Sequence, residues 1–113
     1  MLFRSSTKFG RSVAISGDTI VVGAESKAYV FIEDPILGWV QQDKLAPTGS
    51  STHFGRSVDI DNVWTASFNY VKSIVVGDPH DNSLGFSHGA VYFFQRGGLG
   101  EWTQQAKIGR AHV

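Results

Sequence analysis

Apolar and polar residues come in short bursts along this chain, and no burst runs at helical spacing. In Ser12 to Ser16, Val13 and Ile15 fall on one side of an extended backbone, and Gly17-Asp18 follows as a tight-turn signal. Ile20 to Ala24 and Ala28 to Ile32 are continuously apolar, which predicts strands covered on both faces. Trp39 to Lys44 is mostly polar around one aromatic anchor, as suits an outermost strand that must resist stray pairing. The gradient returns in Ser57 to Asp61, Ser73 to Asp78, Gly89 to Gln95 and Glu101 to Lys107. The pattern therefore predicts an all-β chain built from two sets of four short strands.

The two sets are copies. Phe9-Gly10-Arg11-Ser12-Val13 recurs 45 positions on as Phe54-Gly55-Arg56-Ser57-Val58, and Ile20-Val21-Val22-Gly23 recurs 54 positions on as Ile74-Val75-Val76-Gly77. Ala28 to Ile32 matches Ala90 to Phe94 at 62 positions, and Trp39 to Lys44 matches Trp102 to Lys107 at 63. Blocks are thus expected to be strands, and the intervals where the second copy has grown are expected to be surface loops. On this reading the second copy gains nine residues in the first interval and eight in the second.

Composition narrows the class. A length of 113 residues suits one small unit, and 42% hydrophobic against 18% charged residues is apolar enough to fold. Ten Lys and Arg balance ten Asp and Glu, so the basic footprint of a nucleic-acid binder is missing. With no cysteine, disulfide scaffolds, zinc fingers, iron–sulfur sites and thiol nucleophiles are excluded. No apolar run is long enough for a membrane span, and Met1 to Lys8 lacks the apolar stretch of a signal peptide. Any export signal is expected outside this sequence.

A four-stranded unit of about 45 residues has the period of a β-propeller blade. The order Phe-Gly, Ser-Val-x-Ile, Ile-Val-Val-Gly-Ala, Ala-Tyr-Val-Phe and Trp-x-Gln-Gln-x-Lys-Leu resembles FG-GAP repeats, the blades of integrin α-subunit propellers and of many secreted microbial proteins. The resemblance covers Phe9 to Lys107 and implies two consecutive four-stranded antiparallel blades of an incomplete propeller. Phe9, Gly10, Phe54, Gly55, Trp39 and Trp102 form the repeat signature, with the Phe rings expected to wedge between blades and the glycines to allow close backbone approach. Integrin-like blades often hold calcium between their first two strands. Here Ser16-Gly17-Asp18-Thr19 offers one carboxylate, and the aromatic content of the interval from Asp61 to Ser73 breaks the acid alternation, so that role is not carried over.

Two stretches carry candidate chemistry. Asp78-Pro79-His80-Asp81-Asn82-Ser83 with His88 is a polar cluster in which Asp78, His80 and Asp81 are weak metal candidates, although a solvated loop is the plainer expectation. Val63 to Val71 holds Trp64, Phe68 and Tyr70 without a charge, and these three are the candidate contact for a protein partner. The two stretches are expected on opposite faces of the propeller. Arg11 and Arg56 are expected to be inter-blade hydrogen-bond donors. No nucleophile elbow, phosphate loop or paired-carboxylate spacing is present, so neither a catalytic residue nor a cofactor is expected.

The expected organisation is a preceding-blade end or linker over 1–8, one blade over 9–53, an enlarged blade over 54–107, and a tail over 108–113. Ile108-Gly109-Arg110-Ala111-His112-Val113 reads as the in-frame translation of a common short-read sequencing adapter, which makes the chain a fragment of a longer one. The resemblance implies a non-catalytic, extracellular or cell-surface scaffold for binding or adhesion. Its partners would be an unidentified protein or glycan and further blades of the same chain. A non-catalytic propeller module of an extracellular hydrolase is the alternative.

Overall fold

The computed structural model describes residues 8–47, 53–64, 69–80 and 89–109. They form eight strands: β1 (Ser12–Ser16), β2 (Thr19–Ala24), β3 (Lys27–Asp34), β4 (Gly38–Leu45), β5 (Ser57–Trp64), β6 (Tyr70–Asp78), β7 (Ala90–Arg96) and β8 (Trp102–Ile108). Two four-stranded sheets result, ordered β1-β2-β3-β4 and β5-β6-β7-β8, with every neighbouring pair antiparallel. These are two consecutive blades of an incomplete propeller, here blade 1 and blade 2.

Each blade opens with the same turn. The Arg11 amide donates to the Lys8 carbonyl at 3.0 Å, and the Arg56 amide donates to the His53 carbonyl at 3.1 Å. Gly10 and Gly55 occupy the third position with φ of 93° and 97°, a conformation that a β-carbon resists. The turn folds its Phe ring back over its own third strand. Phe9 meets Tyr29 and Phe31 at centroid distances of 5.6 and 6.2 Å, and Phe54 meets Tyr92 and Phe94 at 5.1 and 6.4 Å.

Those ring contacts and the ladders correct the repeat alignment. Val22 pairs with Tyr29 and Val76 with Tyr92, so Tyr92 is the counterpart of Tyr29, 63 positions on, and not Val91 as the sequence suggested. Both third strands also bulge at matching places, between Val30 and Phe31 and between Phe93 and Phe94. A slip of one residue exchanges the two faces of a strand, so the 63-residue spacing decides which side chains enter the core. The second gain is accordingly nine residues.

Each blade thus has a Phe face, where its turn ring packs, and an opposite face of smaller residues. The core forms where the opposite face of blade 1, with Val21, Ala28, Val30 and Leu45, meets the Phe face of blade 2, with Phe54, Ile60, Ile74, Val76, Tyr92, Phe94 and Trp102. Removing a large apolar side chain from water contributes about 1.5–3 kcal/mol, so this seam is the main stabilising contact of the pair. Double coverage holds for β2 but not for β6, where Val75 is exposed because no blade lies against the opposite face of blade 2 among the described residues.

One further expectation shifts. The stretch from Val63 to Val71 is not simply a loop: the β5–β6 ladder continues through Asn62–Lys72, Val63–Val71 and Trp64–Tyr70. Strand β8 extends to Ile108, which pairs with Val91 as Leu45 pairs with Ala28. Residues 110–113 lie outside the described residues.

Candidate interaction site

The lengthened β5–β6 hairpin overhangs the short β1–β2 turn of blade 1. It is tied down by Lys72, whose Nζ donates to the Ser16 carbonyl at 2.9 Å and stands 3.9 Å from the Asp18 carboxylate. Asp18 titrates below the ordinary aspartate value, first because the Thr19 hydroxyl donates to it at 2.9 Å and then because the Lys72 ammonium attracts its charge, while burial opposes both. Beyond this anchor the cross-strand pair Trp64 and Tyr70 brings its rings to 4.8 Å in an edge-on arrangement, with both residues exposed. The hairpin therefore presents two of the three expected contact aromatics on one rigid ladder. Phe68 lies outside the described residues.

The polar cluster sits at the other end of β6. Asp78 is buried at the strand end and His80 lies in the turn that follows. His80 brings its ring to 4.2 Å from that of His53, a neighbour that sequence reasoning missed because it precedes the Phe-Gly turn. Among the described residues, no three His, Asp or Glu side chains gather to hold a metal ion. Asp81 and His88 lie outside the described residues.

The signature residues divide by blade. Phe54 is fully buried in the seam, whereas Phe9 remains 40% exposed on the outer face of blade 1. The Phe54-Gly55 turn also locks onto blade 1 through its backbone: Ser26 N donates to the Phe54 carbonyl at 3.1 Å, and Ser12 Oγ donates to the Gly55 carbonyl at 2.8 Å. A β-carbon on Gly55 would strike the carbonyl oxygens of Ala24 and Lys27, and one on Gly23 would strike the Gly55 carbonyl and the Ser12 hydroxyl. At the outer edge Trp102 is buried, its indole N–H donating to Gln42 Oε1 at 2.8 Å and its amide to Asp43 Oδ2 at 3.2 Å. Trp39, its counterpart in blade 1, is exposed on that blade's Phe face. Arg56 lines a pocket on the opposite face of blade 2 together with Ser57, Gly77 and Asp78.

Ser12, Gly23, Ser26, Gln42 and Lys72 were not singled out from sequence. Of these, Ser12, Gly23 and Gln42 carried a signal, since they recur in the second copy as Ser57, Gly77 and Gln105.

No helix among the described residues is long and apolar enough to cross a membrane. No curated protein matched the chain. Residues 4–31 match the family model of the FG-GAP repeat, a span that takes in the Phe9-Gly10 turn, β1, β2 and part of β3. The same turn, ladders and bulge recur in blade 2. The chain carries an FG-GAP repeat over residues 4–31, and that repeat together with the two open four-stranded sheets suggests a propeller-type module.

Proposed function

We propose that this protein is a non-catalytic binding scaffold in which the blades hold out the β5–β6 hairpin as a contact for another protein. The observation that carries the reading is the exposed Trp64–Tyr70 pair on a ladder anchored to blade 1 by Lys72. Large aromatics fixed in place lose little conformational entropy on binding and bury much apolar area, which is the usual anatomy of an interface anchor. The resemblance to integrin α-subunit repeats supports an extracellular or cell-surface setting and a role in adhesion.

The test is attachment of cells, or of a defined surface protein, to the immobilised chain and to its Trp64→Ser, Phe68→Ser, Tyr70→Ser triple variant. Attachment to the wild type that is lost in a variant with unchanged circular dichroism and melting supports the reading. Equal attachment to both, or none to the wild type, rejects it. Loss of folding in the variant assigns the aromatics to packing.

A further inference from the structure

The apolar seam between the blades ends in a pair of cations. Ile74 and Phe94 lie in that seam at paired positions of β6 and β7, and the ladder stops one step further out, at Ser73–Gln95. Lys72 and Arg96 are the next residues on the two strands, so by alternation they take the face of Ile74 and Phe94, toward blade 1. The Lys72 side chain is 10% exposed. Its ammonium carries three donors, and the Ser16 carbonyl takes one of them. Arg96 is half-buried, and among the described residues its guanidinium has no hydrogen bond and no carboxylate within 4 Å.

Beside this pair is an open cleft of about 500 Å³ whose lining includes Tyr70, Lys72, Arg96, Gly97, Gly98 and Gly100. Among the described residues, no Asp or Glu lines it. Asp18 stands 3.9 Å from the Lys72 ammonium and attracts both cations, so it offsets one of the two positive charges from outside the lining. The Glu101 carboxylate lies against Gly97 and is also outside the lining. Glycines keep the wall of the β7–β8 turn open. At Gly98 nothing lies within 4 Å of the place a β-carbon would take, and its φ is not positive, so neither packing nor backbone strain requires glycine there. The amides of Gly97 and Gly100 donate to the Glu101 and Gly97 carbonyls, whereas that of Gly98 has no backbone partner among the described residues.

We propose that this cleft binds an oxyanion, a carboxylate, sulfate or phosphate that is either free or the charged group of a small molecule, with Arg96 as its main donor and Lys72 as the second positive charge. A guanidinium matches two acceptor oxygens at once, and a nearly buried ammonium acts through a poorer dielectric than one on the surface. The cleft has the room. Liquid water takes about 30 Å³ per molecule, so a single oxyanion fits with part of its hydration or with the rest of a small molecule attached. The site goes beyond the contact proposed for the hairpin and does not depend on a protein partner.

The experiment is titration of the isotope-labelled full chain with sodium sulfate, phosphate, acetate and glucose 6-phosphate, each compared with sodium chloride at the same ionic strength. The readout is the magnetic resonance shift of the Arg96 Nε–H and of the Gly97 and Gly98 amides. A saturating shift with at least one oxyanion and none with chloride is expected. Tighter binding of glucose 6-phosphate than of phosphate assigns the anion to a larger molecule, and the reverse order assigns it to the free ion. Arg96→Gln is expected to bind roughly tenfold or more weakly, the contribution of one charge-assisted donor, and Arg96→Lys to recover part of the loss. Gly98→Asp, at a position with space for a side chain, sets a carboxylate in the cleft and is expected to abolish the shift with unchanged circular dichroism. Shifts that do not saturate, shifts that chloride reproduces, or undiminished binding in folded Arg96→Gln or Gly98→Asp would each overturn the proposal. Should Arg96→Gln lose its sheet signal, the wild-type titration and Gly98→Asp decide.

Discussion

Gly55 lies so close to the carbonyl oxygen of Ala24 that no β-carbon fits between them, and this contact brings the entry turn of blade 2 onto blade 1. A positive φ at the same residue adds a second reason for glycine. Gly10 has the positive φ but nothing within 4 Å of its missing β-carbon.

The two glycines are therefore expected to respond differently to the same substitution. Gly55→Ala combines backbone strain with a clash and is expected to cost about 3 kcal/mol or more. Gly10→Ala carries the strain alone and is expected to cost about 1 kcal/mol. Urea midpoints measured on both variants check the ratio, and equal losses would contradict a docked Gly55 turn.

Phe54 and Phe9 are expected to separate in the same way. Phe54 is fully buried and Phe9 is 40% exposed. Replacing a buried Phe by Ala costs about 3–5 kcal/mol, a large part of the stability of a small domain. Phe54→Ala is expected to be largely unfolded at room temperature by circular dichroism, and Phe9→Ala to remain folded.

Acid is expected to loosen the tie between the hairpin and blade 1. The folded chain holds Asp18 below its ordinary value through Thr19 and Lys72, so its stabilising contribution is present above the unfolded-state value and is lost as pH falls through the folded one. The carboxylate is largely exposed and solvent screens the pair, which keeps the effect small. Asp18→Asn is expected to lower the urea midpoint slightly at neutral pH and to approach the wild type as the pH falls below the ordinary aspartate value. Asp34 is lowered too, by the amides of Leu37 and Ile36, and serves as a control because its partners lie within its own turn.

Much of this fold is legible in the chain because strands and turns obey local rules. The Phe-Gly blocks mark turns that need glycine at a positive φ, and the Ile-Val-Val-Gly blocks mark the second strands at the centre of each blade. The third strand was misaligned by one residue because Ala90-Val91 imitates Ala28-Tyr29 in composition, and only the ladder tells which face each side chain takes. The hairpin around Trp64 and Tyr70 was legible in residue type but not as a ladder, since Asn62 and Lys72 give no alternation to follow. The meeting of His53 with His80, and that of Lys72 with Ser16, is invisible to local pattern because each depends on blade packing across long sequence separations.

Blade docking is tested most directly at the hydrogen bond from Ser26 N–H of blade 1 to the Phe54 carbonyl of blade 2, 3.1 Å in length. Ser26 lies in the β2–β3 turn, and this bond crosses between the blades. In the isotope-labelled chain, a scalar coupling across the hydrogen bond between the Ser26 nitrogen and the Phe54 carbonyl carbon, together with slow exchange of the Ser26 amide, is the expected result. A Ser26 amide that exchanges at the rate of an open turn and shows no such coupling would contradict the docking of the two blades.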